Sequence, residues 1–117
     1  MIETGYFAQK KKYPESEVLV CVSLKYPWFI DRLDMVWLSA LAPSQKLLDD
    51  WKNGSITWEE YDKRYREEMN TPFKQKFIRS LNRDDMTYRL MCWEKEPPCH
   101  RFILKEIIEN CDQKYEG

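Results

Sequence analysis

Glycine is nearly missing from this 117-residue chain: only Gly5, Gly54 and Gly117 occur. A Walker or dinucleotide-binding phosphate loop needs several glycines in a short run, so both are excluded. Histidine is scarcer still, with His100 alone. A lone imidazole cannot build a common zinc site without other ligands. The spacing of Cys21, Cys92, Cys99 and Cys111 matches no zinc knuckle or ribbon, so no metal and no cofactor is expected. No apolar window is long enough for a membrane span, and no secretory signal is visible. A broad basic face is lacking too: 19 Lys and Arg stand against 20 Asp and Glu, a net charge of −1. That balance argues against bulk binding of duplex nucleic acid, where a basic surface supplies most of the affinity. Together these absences point to a cytoplasmic chain whose four cysteines are reduced thiols.

Aromatic residues, by contrast, are plentiful. They make up 15% of the chain, with five Trp and seven Tyr, more than a core of this size needs. Some are therefore expected to line a pocket or an interface, because Trp and Tyr join a flat apolar face to a polar edge. The length suits one domain over residues 1–117, with no internal repeat or linker.

Three strands are expected, near residues 2–7, 18–23 and 87–93. The run Val18-Leu19-Val20-Cys21-Val22 is continuously apolar and mostly β-branched, as in a parallel strand buried on both faces. Lys10, Lys11 and Lys12 read as a solvated loop. Residues 30–43 resist assignment but carry Leu33, Met35, Val36, Trp37, Leu38 and Leu41, so the segment is expected to pack down. Ser44 is a plausible N-cap for a helix through Leu47, Leu48 and Trp51 that Asn53-Gly54 stops. Thr57-Trp58-Glu59-Glu60 has the form of a capping box, followed by Tyr61, Tyr65 and Met69 at helical spacing. Thr71-Pro72 opens a third helix with Phe73, Phe77, Ile78 and Leu81 on its apolar side. Ile103, Leu104, Ile107, Ile108 and Cys111 form the stripe of a final helix packed on the sheet. The pattern gives an α/β fold, a single compact domain with a small, mainly parallel sheet flanked by helices.

The most informative stretch is Leu90-Met91-Cys92-Trp93-Glu94-Lys95-Glu96-Pro97-Pro98-Cys99-His100-Arg101. A short strand runs into a charged, proline-stiffened turn, and a Cys-His-Arg triplet opens the last helix. The first N–H groups of a helix lack internal partners and carry partial positive charge, which suits an anion or a reactive thiol. Cys99 is the candidate nucleophile, although a small buried packing residue is the commoner role for such a cysteine. Cys92, inside the strand, reads as core. His100 is a candidate general base, anion ligand or brace of the turn. Arg101 offers a planar donor fork to an anion, or pairs with Glu94 inside the turn. Glu94 and Lys95 supply a charge network there. At the other strand ends, Tyr6, Ser23, Lys25, Tyr26 and Trp28 are candidate ligand contacts, because ligands of open α/β sheets bind beyond the carboxyl ends of strands.

Five elements in order resemble short members of the domain-of-unknown-function family 488. They are Thr4-Gly5-Tyr6-Phe7-Ala8, Ser23-Leu24-Lys25-Tyr26-Pro27, Leu41-Ala42-Pro43-Ser44, the helix Trp58-Glu59-Glu60-Tyr61 to Arg64-Tyr65, and Cys92-Trp93-Glu94-Lys95 through Cys99-His100-Arg101. The resemblance covers nearly the whole chain. It implies an α/β domain with a small, mainly parallel sheet, and no established activity. Between Trp28 and Leu41 the chain carries Asp31 and Asp34 where the family more often has basic and glycine residues, which implies a changed ligand specificity.

Two functions stay open at this point, with a third behind them. The first is a small-molecule binder, sequestering or sensing, whose anionic and nucleotide-like ligand sits at the start of the last helix with its ring on Tyr6, Tyr26 or Trp28. The second is an enzyme acting on a nucleotide or nucleic-acid component through Cys99 or His100. The third is a protein-interaction module using the Trp-rich 28–38 segment. Homo-oligomerisation is not decided by the sequence.

Overall fold

The computed structural model describes residues 1–95 and 98–111. Of the charged turn before the last helix, residues 96 and 97 lie outside the described residues.

Four strands form one sheet in the order β1-β4-β2-β3: β1 Ile2–Tyr6, β2 Val18–Cys21, β3 Val36–Trp37 and β4 Tyr88–Cys92. Every pairing is parallel. Tyr6 is level with Cys92, and Cys21 is level with Met91, so the carboxyl ends of the three longer strands share one rim. The three sequence-expected strands are thus present, each trimmed by a residue or two. β3 is an addition within the segment that resisted assignment.

Parallel neighbours need crossovers. The one between β3 and β4 carries three helices, α1 Gln45–Lys52, α2 Trp58–Met69 and α3 Pro72–Ser80, and α4 His100–Glu109 follows β4. Each of the first three begins where a side-chain oxygen caps a free backbone N–H. Ser44 accepts from Leu47, Thr57 from Glu60 and Thr71 from Lys74. Ser44 also ties two helices together: its N–H and hydroxyl both donate to the Glu68 carboxylate of α2, at 2.8 and 2.6 Å. Gly54 follows the end of α1 with φ of 71°, a left-handed conformation that glycine adopts without steric cost.

Alternation along the strands gives the sheet two buried faces. Ile2, Val20, Val22, Leu90 and Tyr88 pack with Leu41, Leu47, Tyr61, Tyr65, Ile78, Leu104 and Ile108 under the four helices. Cys21 and Met91 face the other way, onto Phe7, Ile30 and Met35. This second face is covered by a 3-10 turn, Phe7–Lys12, and by the chain around residues 26–37. The Lys10–Lys12 run is therefore part of a helical turn rather than a loop, and Lys10 pairs with Asp34 at 3.2 Å. Three apolar residues depart from the sequence reading: Leu33, Val36 and Phe73. Leu33 is 94% exposed although its segment packs down through Ile30, Met35 and Leu41, and Phe73 is exposed at the first turn of α3. Among the described residues no helix is long and apolar enough to cross a membrane.

Candidate active site

The carboxyl rim of β2 and β4 opens into a cleft of about 180 Å³. Ser23, Leu24 and Lys25 line it from the end of β2, Cys92, Trp93 and Glu94 from the end of β4, and His100 from the start of α4. Pro43, Gln45, Leu48 and Lys52 close it from α1 and the chain before it. Gln45, Leu48 and Lys52 are spaced i, i+3 and i+7, so one face of α1 forms that wall.

At the base of the cleft two sulfurs meet. Cys92 ends β4 and Cys99 is the N-cap of α4, and their Sγ atoms lie 2.6 Å apart. No disulfide joins them; Cys21, Cys92 and Cys99 carry free, buried thiols. Around this pair stand three ionisable partners. The Glu94 carboxylate accepts from Cys92 at 3.2 Å and from Cys99 at 3.5 Å. The Nδ1 atom of His100 is 3.6 Å from the Cys99 sulfur. Its other nitrogen, Nε2, lies 2.7 Å from the Val22 carbonyl. A carbonyl can only accept, so Nε2 carries a hydrogen and Nδ1 is the nitrogen that faces Cys99.

Arg101 is the third partner, and it is 2% exposed. Its Nη1 donates to the Cys92 sulfur and to the Glu94 carbonyl, both at 2.6 Å, and Nη2 donates to the Lys95 carbonyl at 3.1 Å. Nε has no partner. Arg101 does not line the cleft. It binds the backbone of the turn, where the sequence offered an anion contact or a pair with the Glu94 side chain.

The shared contact splits the two thiols. Cys99 is brought down to about 5, first by the hydrogen bond from Cys92, then, against burial, by the hydrogen bond and charge of His100 and by the backbone N–H of Arg101. Cys92 is pushed far up by its bond to Cys99, by burial and by the charge on its neighbour, against the pull of Arg101. The pair thus holds one proton near neutrality. Burial raises the Glu94 carboxyl, but the hydrogen bonds from Cys92 and its own backbone N–H, with the charge of His100, outweigh it and keep the group below its usual value.

A stabilised thiolate beside an imidazole is suited to nucleophilic chemistry. The Cys92 and Cys99 sulfurs and a Glu94 oxygen also lie within 4.8 Å of one another, a grouping that spacing along the chain does not reveal. These three donors fall one short of a closed tetrahedral zinc site. The guanidinium already against Cys92 favours a bare anionic sulfur over a cation there.

The sequence-expected site residues divide in two. Ser23, Lys25, Glu94 and His100 come together at the cleft with Cys92, while Cys99 lies against them. The Ser23 hydroxyl is buried and donates to the Lys25 carbonyl at 2.7 Å, which shapes the turn that carries Lys25 to the rim. Tyr6, Tyr26, Trp28, Lys95 and Arg101 do not line the cleft. Tyr26 donates to the Asp31 carbonyl at 2.6 Å and lies under the Arg32 guanidinium. Trp28 is 89% exposed and packs edge-on against Phe29. Lys95 is exposed and lends its carbonyl to Arg101. Lys52 and Trp93 are cleft residues that the sequence reading missed. The signal for Lys52 was its place on the helical face of Gln45 and Leu48.

No curated protein and no solved structure matches the chain. A family model described as the Active DUF488-N3 subclade matches residues 7–112, a span that includes the cleft, both sulfurs, His100 and Arg101. With nearly all of its length matched, the chain belongs to the DUF488 family.

Proposed function

We propose that the chain is a thiol enzyme acting on a small anionic substrate held in the cleft. The observation that carries this reading is the Cys99 sulfur, held between Cys92 and His100 Nδ1 beside a cleft with lysines on its rim. Cys99 is the nucleophile. His100, oriented by the Val22 carbonyl, takes up or returns the proton of the reacting group. Lys25 and Lys52 receive the substrate's negative charge. Arg101 is a positioning residue that fixes the turn and holds positive charge against the sulfur pair. The word "active" in the description of the matching subclade agrees with a catalytic role. A nucleotide or nucleic-acid component fits the lysines, and the half-exposed Trp93 at the rim offers its base a stacking face. A cytoplasmic location suits thiols that must stay reduced.

One observation favours the second reading, a binder without chemistry. Cys92 and Cys99 are both buried, and the Glu94 side chain stands over them. Ligands that co-purify with the native protein, identified by mass spectrometry, supply the substrate class. Cys99→Ser then separates the readings: it leaves binding in place and abolishes conversion if the thiol is the nucleophile. Unchanged conversion by Cys99→Ser contradicts the enzyme reading.

A further inference from the structure

We propose that Cys92 and Cys99 are a reversible dithiol, with Cys92 as the resolving thiol, and that the cleft takes small anionic disulfides as substrates. This inference rests on the thiol reading above and goes beyond it to a second substrate class for the same nucleophile. Three features of the site carry it.

The first is the sulfur–sulfur distance of 2.6 Å, with the Arg101 guanidinium equally close to Cys92 on its other side. The two cysteines are seven positions apart in the chain. Each is nevertheless fixed by a regular element, one at a strand end and the other at a helix N-cap. The second is that Cys92, Glu94 and His100 line the cleft, and the Cys99 sulfur lies against all three. A group attached to Cys99 therefore sits beside a second sulfur. The third is the isolation of the pair from Cys21, which lies on the opposite face of the sheet and bonds Ser23 at 3.3 Å. That thiol cannot compete for the internal bond without leaving its own core.

The Cys99 thiolate attacks one sulfur of a disulfide RSSR; a Cys99–SR bond forms, the S–S bond breaks, and RS⁻ leaves with the electron pair toward Lys25 and Lys52. Cys92 passes its proton to the Glu94 carboxylate 3.2 Å away. Its sulfur then attacks Cys99 Sγ and expels the second RS⁻, which takes that proton as RSH. The chain loses two electrons in forming Cys92–Cys99, and RSSR is reduced to RS⁻ and RSH. Thiolate attack through a mixed disulfide is the general route of such exchange. The reverse sequence, with a small thiol as reductant, restores the pair.

The test uses the full chain, fully reduced and free of oxygen, mixed with glutathione disulfide, an anionic probe. Acid-quenched samples are mapped by peptide mass spectrometry. The wild type is expected to lose two hydrogens and yield a Cys92–Cys99 peptide. Cys92→Ser is expected to stall with one glutathione on Cys99. Cys99→Ser is expected to acquire glutathione at least tenfold more slowly. A wild type that stays reduced, keeps a glutathione adduct or links Cys21 overturns the proposal. The wild-type result alone suffices should either variant fail to fold. Rapid alkylation of Cys99 at mildly acidic pH without an internal disulfide overturns the dithiol alone. Ordinary alkylation of Cys99 overturns the thiol reading with it.

Discussion

The Arg101 guanidinium donates to the Cys92 sulfur at 2.6 Å, and the same nitrogen donates to the Glu94 carbonyl at the same distance. One buried cation thus holds the strand end and the turn that leads to the helix bearing Cys99. Removing it leaves a buried anionic pair and two backbone carbonyls without their donor. Arg101→Ala is expected to cost about 3–5 kcal/mol, the range for breaking a buried charge pair. Arg101→Lys recovers little, because an ammonium lacks the planar fork that reaches two carbonyls. Chemical denaturation of both variants checks this. A loss within 0.5 kcal/mol, the scale of an ordinary surface substitution, contradicts the bracing role.

Gly5 provides a second expectation. A Cβ at this position lies 2.6 Å from the Tyr13 ring, whose hydroxyl accepts the Tyr6 N–H at 3.1 Å. The ring also lies beneath the Arg89 guanidinium. Gly5→Ala must displace Tyr13 and is expected to cost about 1–3 kcal/mol by overpacking. The double variant Gly5→Ala with Tyr13→Ala is expected to cost less than the sum of the two single changes. Full additivity in thermal melts contradicts the contact.

The thiol pair sets a pH signature on stability. Cys99 falls from an ordinary 9.0 to about 5 in the fold. Between those values the unfolded chain binds more protons than the native one, so this contribution is complete above about 9 and is lost as pH falls toward 5. Cys92 has the opposite sign: its folded value lies above 9.0, so stability falls as pH rises past that point. Denaturation across this range is expected to give a maximum near the ordinary thiol value. In Cys99→Ser the acid-side loss should shrink; an identical profile contradicts the shift.

Charge on the cleft rim is expected to show in reagent choice. Lys25 and Lys52 favour an anionic alkylator over a neutral one of the same shape. Lys25→Gln or Lys52→Gln should lower the iodoacetate-to-iodoacetamide rate ratio at Cys99 by about fivefold, the scale of one charge interaction of ~1 kcal/mol in water. An unchanged ratio in both variants means that these lysines do not receive the substrate anion.

Much of this fold is legible in the sequence. The β-branched run at 18–22 identifies a doubly buried strand, and Ser44, Thr57 and Thr71 mark helix starts that their side chains do cap. β3 is not legible, since two residues carry no periodicity and Val36–Trp37 joins the sheet through backbone pairing with β2. A cleft at the strand ends is legible in the sequence, its lining only in part. Strand-end residues are readable as a group, yet which of them turn inward depends on packing. Tyr26 and Trp28 have the right chemistry and point elsewhere. Arg101 has the chemistry of an anion ligand, and only the folded turn shows its donors committed to carbonyls and a sulfur. The meeting of Cys92 with Cys99 required both the pleat of β4 and the entry angle of α4, and neither is encoded by their spacing.

The most direct measurement is the rate of Cys99 alkylation by iodoacetamide as a function of pH, with the modified peptide identified by mass spectrometry. A stabilised thiolate gives a rise centred near pH 5. The midpoint should move upward in Cys92→Ala, because the hydrogen bond from Cys92 is the largest influence lowering it. A single midpoint near the ordinary 9.0, unmoved by that substitution, contradicts Cys99 as the reactive group.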